Sequence, residues 1–327
     1  MSDTSKIEWT DATWNPVRGC SIVSKGCTNC YAMKQAHRFA GAGHAYEGLT
    51  QMTRGGPVWT GKVRVVPDLL DQPLHWKKPR RIFVNSMSDL FHEDVTDQFI
   101  ADVFGIMAAT PWHTYQVLTK RPRRALYLLG AGCMGGFEDA IEECMALYTH
   151  SDLVWPIPNV WLGVSVEDQA AADERIPLLL QTPATVRWIS AEPLLGPIDL
   201  VQVMVKPIFD MQGWLNWIVI GGESGPGARG CSVADIRSIV RQCRAVGIPV
   251  FVKQLGAYVV DRNDAGFDGC DPTSWPDMDP MDIEDNIHGF KDEYQGADVR
   301  VRLGNRKGGA MCEWPEDLRV REYPQCS

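Results

Sequence analysis

The sequence has no long apolar run and no targeting segment. None of its 327 residues lies in a stretch approaching the roughly 18 apolar residues that a membrane span needs, so we expect no membrane association. The first eight residues lack the basic segment followed by an apolar one that marks a secretory signal. We therefore expect a cytoplasmic protein, in which a reducing environment keeps the ten cysteines out of a disulfide framework.

An excess of positive charge is also lacking. The chain has 32 Lys and Arg against 41 Asp and Glu, and its net charge of −9 argues against tight, unaided binding to DNA or RNA. Basic runs at 77–81, 120–124 and 300–307 would form one strip if they converged, and separate solvated patches are the simpler alternative. No G-x-S-x-G or H-E-x-x-H motif supports a hydrolase.

Acidic residues are concentrated towards the C-terminus. Residues 261–327 contain 16 Asp and Glu but only 8 Lys and Arg, and their first part is rich in Asp, Pro and Gly, a loop composition. The length fits one barrel-sized domain with an appendage, or two ordinary domains. We predict a domain at residues 1–260 and an acidic, loop-rich C-terminal appendage or lid at 261–327. A solvated acidic surface is the alternative.

Short apolar runs of strand length alternate with helical patterns through the middle of the chain. The runs lie at 81–86, 114–119, 159–164, 185–190, 215–220 and 249–252. Thr96 and the pair Ser232 and Asp235 are typical of helix N-termini. This alternation and the polar end of every run predict an α/β fold, a partial or full parallel (β/α) barrel with its active site at the carboxyl ends of the strands. A doubly wound sheet is the alternative.

Three of the ten cysteines lie within eleven residues. Cys20, Cys27 and Cys30 have the spacing C-x6-C-x2-C, and thiolates this close suit zinc or an iron–sulfur cluster. A structural zinc site normally has four protein ligands, whereas three cysteines on a four-iron cluster leave one iron open for a small molecule. The alternatives are a Cys3His zinc site completed by His37 or His44, a redox Cys27–Cys30 pair, and three buried free thiols.

The cysteine loop and several strand ends together resemble a known family. The motifs are Cys27-Thr-Asn-Cys-Tyr and the segments 83–92, 116–122, 159–168, 190–196, 221–229 and 251–254. In combination, from about Trp9 to Gly256, they resemble the phage-associated three-cysteine protein family, which in turn looks like the radical S-adenosylmethionine (SAM) superfamily. This resemblance implies a barrel of the radical SAM type, a 4Fe-4S cluster, SAM as cofactor and an electron donor. A phage-encoded protein would reside in the host cytosol.

The sequence departs from the superfamily pattern at three places. The first cysteine gap is six residues, whereas the most common superfamily gap is three. Asn29 stands where an aromatic residue commonly precedes the last cysteine, and Tyr31 follows it. The turn at 85–89 replaces a Gly-Gly-Glu-like turn, and the Gly-Gly-Glu at 221–223 belongs to a much later strand.

Polar residues at the strand ends are the candidate site residues. We assign cofactor binding to Ser86, Ser88, Asp89, Ser165 and Glu167, catalysis to Glu192, Glu223, Lys253 and Gln254, binding of an anionic substrate group to Lys120 and Arg121, and the metal to Cys20, Cys27 and Cys30. For any one of the polar residues, a solvated loop charge or a salt bridge at the barrel mouth is an equal alternative.

These patterns and the resemblance lead to one functional hypothesis. We expect an enzyme that cleaves SAM to a 5′-deoxyadenosyl radical and acts on an unknown substrate. A nucleotide or a nucleobase in DNA or RNA, modified or repaired after extrusion from the stack, is the expected substrate, and a partner protein would deliver it. The sequence does not decide between lyase, isomerase and transferase. The alternative is a non-catalytic, zinc-binding protein associated with nucleic acid.

Overall fold

The computed structural model describes residues 5–130, 136–200, 214–262, 298–301, 303–305 and 307–324. Its strands are β1 (Ala12–Trp14), β2 (Val17–Arg18), β3 (Thr50–Thr53), β4 (Gly56–Trp59), β5 (Arg64–Val65), β6 (Arg81–Val84), β7 (Thr114–Thr119), β8 (Val160–Ser165), β9 (Val186–Ala191), β10 (Trp217–Gly221), β11 (Cys231–Ser232), β12 (Val250–Gln254), β13 (Val259–Arg262) and β14 (Asp298–Val301). Its helices are α1 (Tyr31–His37), α2 (Asp97–Ala109), α3 (Pro122–Leu129), α4 (Gly136–Ala146), α5 (Gln169–Gln181) and α6 (Val233–Val246).

Seven strands form one parallel sheet in the order β1-β6-β7-β8-β9-β10-β12, which curls into a half-barrel. Every residue of β8, β9 and β10 is buried, as expected for parallel strands that are covered on both faces. The prediction of an α/β fold with parallel strands is confirmed. The sheet is consistent with the partial rather than the full form of the predicted barrel.

The helix boundaries follow from local sequence. The Thr96 hydroxyl accepts a hydrogen bond from the Phe99 amide at the start of α2. Ser232 does the same for the Asp235 amide at the start of α6, and Gly247 ends that helix in the left-handed region, with φ = +71°. Both helix starts were predicted from the sequence and are confirmed. No helix in the described ranges is long and apolar enough to cross a membrane.

The chain forms two compact units. The first comprises the described residues within 1–165, 174–189 and 207–216. It contains α1 to α4. Helices α2 and α4 pack closely at Gly105 of α2, where a Cβ would lie only 2.6 Å from the Cβ of Cys144 on α4. Between β1 and β6 the chain forms the antiparallel pairs β2–β5 and β3–β4, and α1 packs against the second of these pairs.

The second unit comprises the described residues within 166–173, 190–206 and 217–327. It contains α6 and a three-stranded sheet in the order β11-β13-β14. The C-terminal segment lies along β12, where Arg321 bridges to Phe251 and Tyr323 stacks on Trp217 with ring centroids 5.6 Å apart. Most of the predicted appendage, residues 263–297, lies outside the described residues, and the boundary at 260 and the lid stay predictions.

Candidate metal centre and active site

The cysteine loop begins directly after β2 and ends at α1. Cys20 follows Gly19, and Cys30 is the N-cap of α1. Cys20 and Cys30 both pack against one apolar cluster, made of Ala32, Met33, Ala36, Leu49 and Trp59. Helix α1 and the β3–β4 hairpin therefore form an apolar support beneath two of the three thiols.

The three thiols are partly buried and influence one another electrostatically. The pKa of Cys20 is raised to about 12 as a net result, because burial, the Asp89 carboxylate and Cys30 raise it more than Arg121 lowers it. Burial also raises the pKa of Cys30, and Cys27 adds to that effect. Cys30 is thus coupled to each of the other two cysteines. Three thiolates here would repel one another unless cations compensated their charge.

Asp89 anchors the loop that follows β6. Its Oδ1 accepts hydrogen bonds from the Phe91 amide at 3.0 Å and the Thr119 hydroxyl at 2.8 Å. Its Oδ2 accepts from the Lys120 amide and the Arg121 guanidinium, both at 3.0 Å. With four donors on two oxygens, this carboxylate joins the ends of β6 and β7, and its lone-pair sites are used within the protein.

Arg121 connects this carboxylate to the cysteine loop. Its guanidinium donates to Asp89, to Glu93 at 2.8 Å, to the Ser21 hydroxyl at 2.6 Å and to the Cys20 sulfur at 3.9 Å. The side chains of Arg121 and Asp89 are only 10% and 8% exposed. Although burial lowers the pKa of Arg121, the negative groups Asp89, Cys20 and Glu93 together outweigh it and keep the pKa above its usual value. The structure thus gives Arg121 a role in positioning Cys20.

The two predicted serines of this loop also face the cysteine segment. Ser86 donates its hydroxyl to Asn15 Oδ1 at 3.1 Å, and Ser88 donates its own to the Val17 carbonyl at 2.8 Å. Asn85, which begins the loop, has a φ of +57°, in the left-handed region that Asn tolerates better than most residues. Both serine oxygens keep lone pairs that can accept a further hydrogen bond.

Lys120 and Ser165 form a second contact between strand ends of the first unit. The Lys120 ammonium donates to the Ser165 hydroxyl, and the Ser165 carbonyl accepts from Arg175 at 2.6 Å. The Lys120 charge also lowers the pKa of Cys30. Two predicted residues, one for the substrate and one for the cofactor, are therefore in contact, and the lysine lies in the electrostatic surroundings of the cysteines.

In the second unit, Glu192 and Lys253 form an ion pair at 2.8 Å, with side chains 14% and 21% exposed. The Ser190 hydroxyl donates to the other Glu192 oxygen at 3.3 Å. Gly221 leaves space for the carboxylate, because a Cβ there would lie 2.7 Å from Glu192 Oε1. The ends of β9, β10 and β12 thus hold the Glu192 carboxylate next to the Lys253 ammonium group.

The other predicted residues of the second unit have structural partners. The Glu223 carboxylate accepts from the backbone amide of Arg229 at 2.9 Å and from its guanidinium, which closes the glycine-rich loop between them. Gln254 donates to the Gly222 carbonyl at 2.7 Å. Glu167 is 2% exposed, and its backbone carbonyl accepts from the Leu195 amide.

Sequence reasoning missed two residues of this arrangement. Asn15 accepts hydrogen bonds from both the Ser86 hydroxyl and the Met87 amide, each at 3.1 Å. Its position at the end of the first strand was the available signal. Arg229 was missed as the partner of Glu223, although it lies only six residues further on.

The zinc alternative depends on a fourth ligand. His37 Nδ1 lies 3.1 Å from the Thr50 hydroxyl and forms a hydrogen bond with it. Within the described part of the chain, no three or more His, Cys, Asp or Glu side chains form a group that could hold a metal ion. The assignment of Cys20, Cys27 and Cys30 as ligands stays a prediction that rests on their donor chemistry and their spacing in the sequence.

The fold and site define an α/β protein with a curled parallel sheet and polar clusters at its strand ends. More particularly, the chain belongs to the family described as "Protein of unknown function (DUF5131)", which it matches over residues 4–311. No curated protein and no solved structure matches it. The matched range includes the cysteine loop and both strand-end clusters.

Proposed function

We propose that this protein is an iron–sulfur enzyme of the radical SAM type. Cys20, Cys27 and Cys30 would hold a 4Fe-4S cluster. The observation that carries the proposal is the position of these coupled thiols, on a loop tied by Asp89 and Arg121 to the carboxyl ends of β6 and β7. Parallel (β/α) barrels place their chemistry at this edge.

The chemistry of the three thiols is that of such a cluster's ligands, although the described side chains are not gathered into a metal-binding group. Thiolates are the usual ligands of iron–sulfur clusters, and three of them leave one iron for an exogenous ligand. Because burial raises the pKa of Cys20 and Cys30, cluster binding would release protons from these thiols. Arg121 and Lys120 provide positive charge beside them. When bound, the cluster would supply the electron that splits SAM into methionine and a 5′-deoxyadenosyl radical.

The neighbouring side chains would orient the cofactor. Arg121 holds Cys20, and Asp89 holds Arg121, so these two charged groups fix the metal ligand rather than the substrate. Ser86 and Ser88 would accept hydrogen bonds from the amino or ribose hydroxyl groups of SAM. Lys120, with Ser165, would bind a carboxylate or phosphate.

In the second unit, Glu192 and Lys253 are the candidates for catalysis. Lys253 Nζ donates a hydrogen bond to Glu192 Oε1 in a partly buried ion pair, an arrangement that can give a proton to a substrate atom or take one from it. Glu223 would hold the glycine-rich loop after β10 in place through its hydrogen bonds with Arg229. Gln254 would hold the start of the same loop through its hydrogen bond to the Gly222 carbonyl. Glu167 remains a candidate for the cofactor.

The test is anaerobic reconstitution followed by two measurements. We expect about four iron and four sulfide per chain, and 5′-deoxyadenosine after addition of SAM and dithionite. Cys27→Ala should lose the iron and the 5′-deoxyadenosine. Cys312→Ser, a change at an exposed cysteine outside the loop, should keep both. One zinc per chain with no 5′-deoxyadenosine would instead identify the zinc-binding alternative.

A further inference from the structure

The segment between β1 and the 3₁₀ helix at Pro67–Leu69 has a charge opposite to that of the chain. Residues 16–66, called the cysteine insertion below, contain seven Lys and Arg but one acidic residue, Glu47, in a protein with a net charge of −9. The basic residues are Arg18, Lys25, Lys34, Arg38, Arg54, Lys62 and Arg64. A local excess of this size attracts an anionic partner even where the whole chain is acidic.

Several of these cations have no ion-pair partner among the residues that the structure describes. Arg38, Arg54, Lys62 and Arg64 are exposed and form no ion pair with any residue that the structure describes. Arg64 donates to the backbone carbonyl of Glu47 at 2.9 Å rather than to its carboxylate. Cations in this state can neutralise phosphates without first breaking an internal salt bridge.

The cations are close to the cysteine loop. Arg18 and Arg64 are paired across the β2–β5 ribbon, and Arg18 lies two residues before Cys20. The backbone of Lys62 lies against Gly19, the residue before Cys20: a Cβ on Gly19 would be only 2.3 Å from the Lys62 carbonyl oxygen. A ligand held by these residues would therefore lie next to the proposed cluster.

Exposed aromatic rings accompany the cations. Tyr31, directly after Cys30, is 52% exposed, and Phe39, just beyond the end of α1, is 47% exposed. The Tyr31 hydroxyl donates to the Ser86 carbonyl at 2.7 Å, which fixes the ring while leaving much of it accessible. Exposed rings beside a positively charged surface are typical of proteins that bind single-stranded nucleic acid, in which bases stack on the rings.

We propose that the cysteine insertion binds single-stranded DNA or RNA, with Arg54, Lys62 and Arg64 on the phosphates and Tyr31 stacked on a base. As an assignment of the substrate class, this rests on the proposed function; the binding itself does not require a cluster. It also assigns the phosphate contacts to cations other than those of the basic runs noted in the sequence, in which Arg81, Arg121 and Arg124 form ion pairs.

The experiment measures binding of a fluorescein-labelled oligomer of about 20 thymidines to the full-length protein without a cluster, by anisotropy. The charge reversal R54E/K62E/R64E should weaken binding at least roughly tenfold. It should also reduce the salt slope by about 2, since each phosphate that the protein no longer neutralises lowers the slope by about 0.7. The matched control K6E/K77E/K78E changes three exposed lysines outside the insertion and gives the same net charge. It should bind as the unaltered protein does.

Two further variants test the stacking. Tyr31→Leu should weaken binding at least roughly fivefold, whereas Tyr31→Phe, which keeps the ring, should bind nearly as the unaltered protein does. The proposal would be overturned if both charge reversals weakened oligomer binding equally. It would also be overturned if the protein did not bind the oligomer at all, or bound only phosphatidylserine vesicles. Oligomer binding by a protein that takes up no iron on reconstitution would refute the proposed function and leave this inference standing.

Discussion

The ion pair between Arg121 and Asp89 allows the sharpest test of how the cysteine loop is held. We consider Arg121→Met, which keeps an unbranched side chain as far as the position of Nε and removes the charged guanidinium. The variant leaves the Asp89 carboxylate buried, with the Phe91, Thr119 and Lys120 donors still in place. It also removes the hydrogen bond to Cys20.

The expected cost follows from burial. Removal of one partner of a buried ion pair costs about 3–5 kcal/mol, because an uncompensated charge remains. Both side chains are at most 10% exposed, so solvent screens the pair little. Since Asp89 keeps three of its four donors, we expect the lower end, a decrease of about 3 kcal/mol in the free energy of unfolding.

Urea denaturation followed by tryptophan fluorescence measures this decrease. The control is Arg81→Met, which breaks the pair with Asp11, whose side chains are 34% and 46% exposed, and should cost less than about 1 kcal/mol. Adding Asp89→Asn to Arg121→Met should recover part of the stability, because it removes the stranded charge. Equal decreases at Arg121 and Arg81, or no recovery in the double variant, would refute the reasoning.

Two further predictions concern other parts of the fold. Gly221→Ala should destabilise the protein by about 1–3 kcal/mol in urea denaturation, because its Cβ would displace the Glu192 carboxylate. The control is Gly136→Ala, whose Cβ would have no atom within 4 Å and which should be neutral or nearly so. Equal decreases in stability in the two variants would contradict this prediction. Burial lowers the pKa of His113 from 6.5, so the unfolded chain binds more protons at that residue and its contribution to stability is lost as the pH falls below about 6.5. His113→Leu should flatten this pH dependence in thermal denaturation, and an unchanged slope would show that other groups cause it.

Much of the fold could be predicted because it depends on local patterns. The apolar runs at 114–119 and 185–190 became β7 and β9 to within a residue, since buried parallel strands have few polar residues. Thr96 and Ser232 start helices because their hydroxyls accept from amides three residues later. The short pairs β2–β5 and β3–β4 were missed, because strands of two to four residues carry too little periodicity to be recognised.

The candidate site was predicted by position better than by role. Asp89 and Arg121 lie beside the cysteine loop, a contact that was not predicted from the sequence for Arg121. Their roles as binders of cofactor and substrate could not be tested in the sequence, because a sequence does not show which polar groups are already satisfied. Asp89 accepts four internal hydrogen bonds, and Arg121 joins it to Cys20, so the structure favours positioning roles for both.

The central claim is that Cys20, Cys27 and Cys30 hold a cluster with one open iron. Electron paramagnetic resonance of the reconstituted, dithionite-reduced protein, recorded with and without SAM, tests this most directly. The account predicts a signal from a reduced four-iron cluster whose g-values shift on addition of SAM, because the cofactor binds the iron that lacks a cysteine. A protein that gives no cluster signal, or a signal that SAM leaves unchanged, would contradict it.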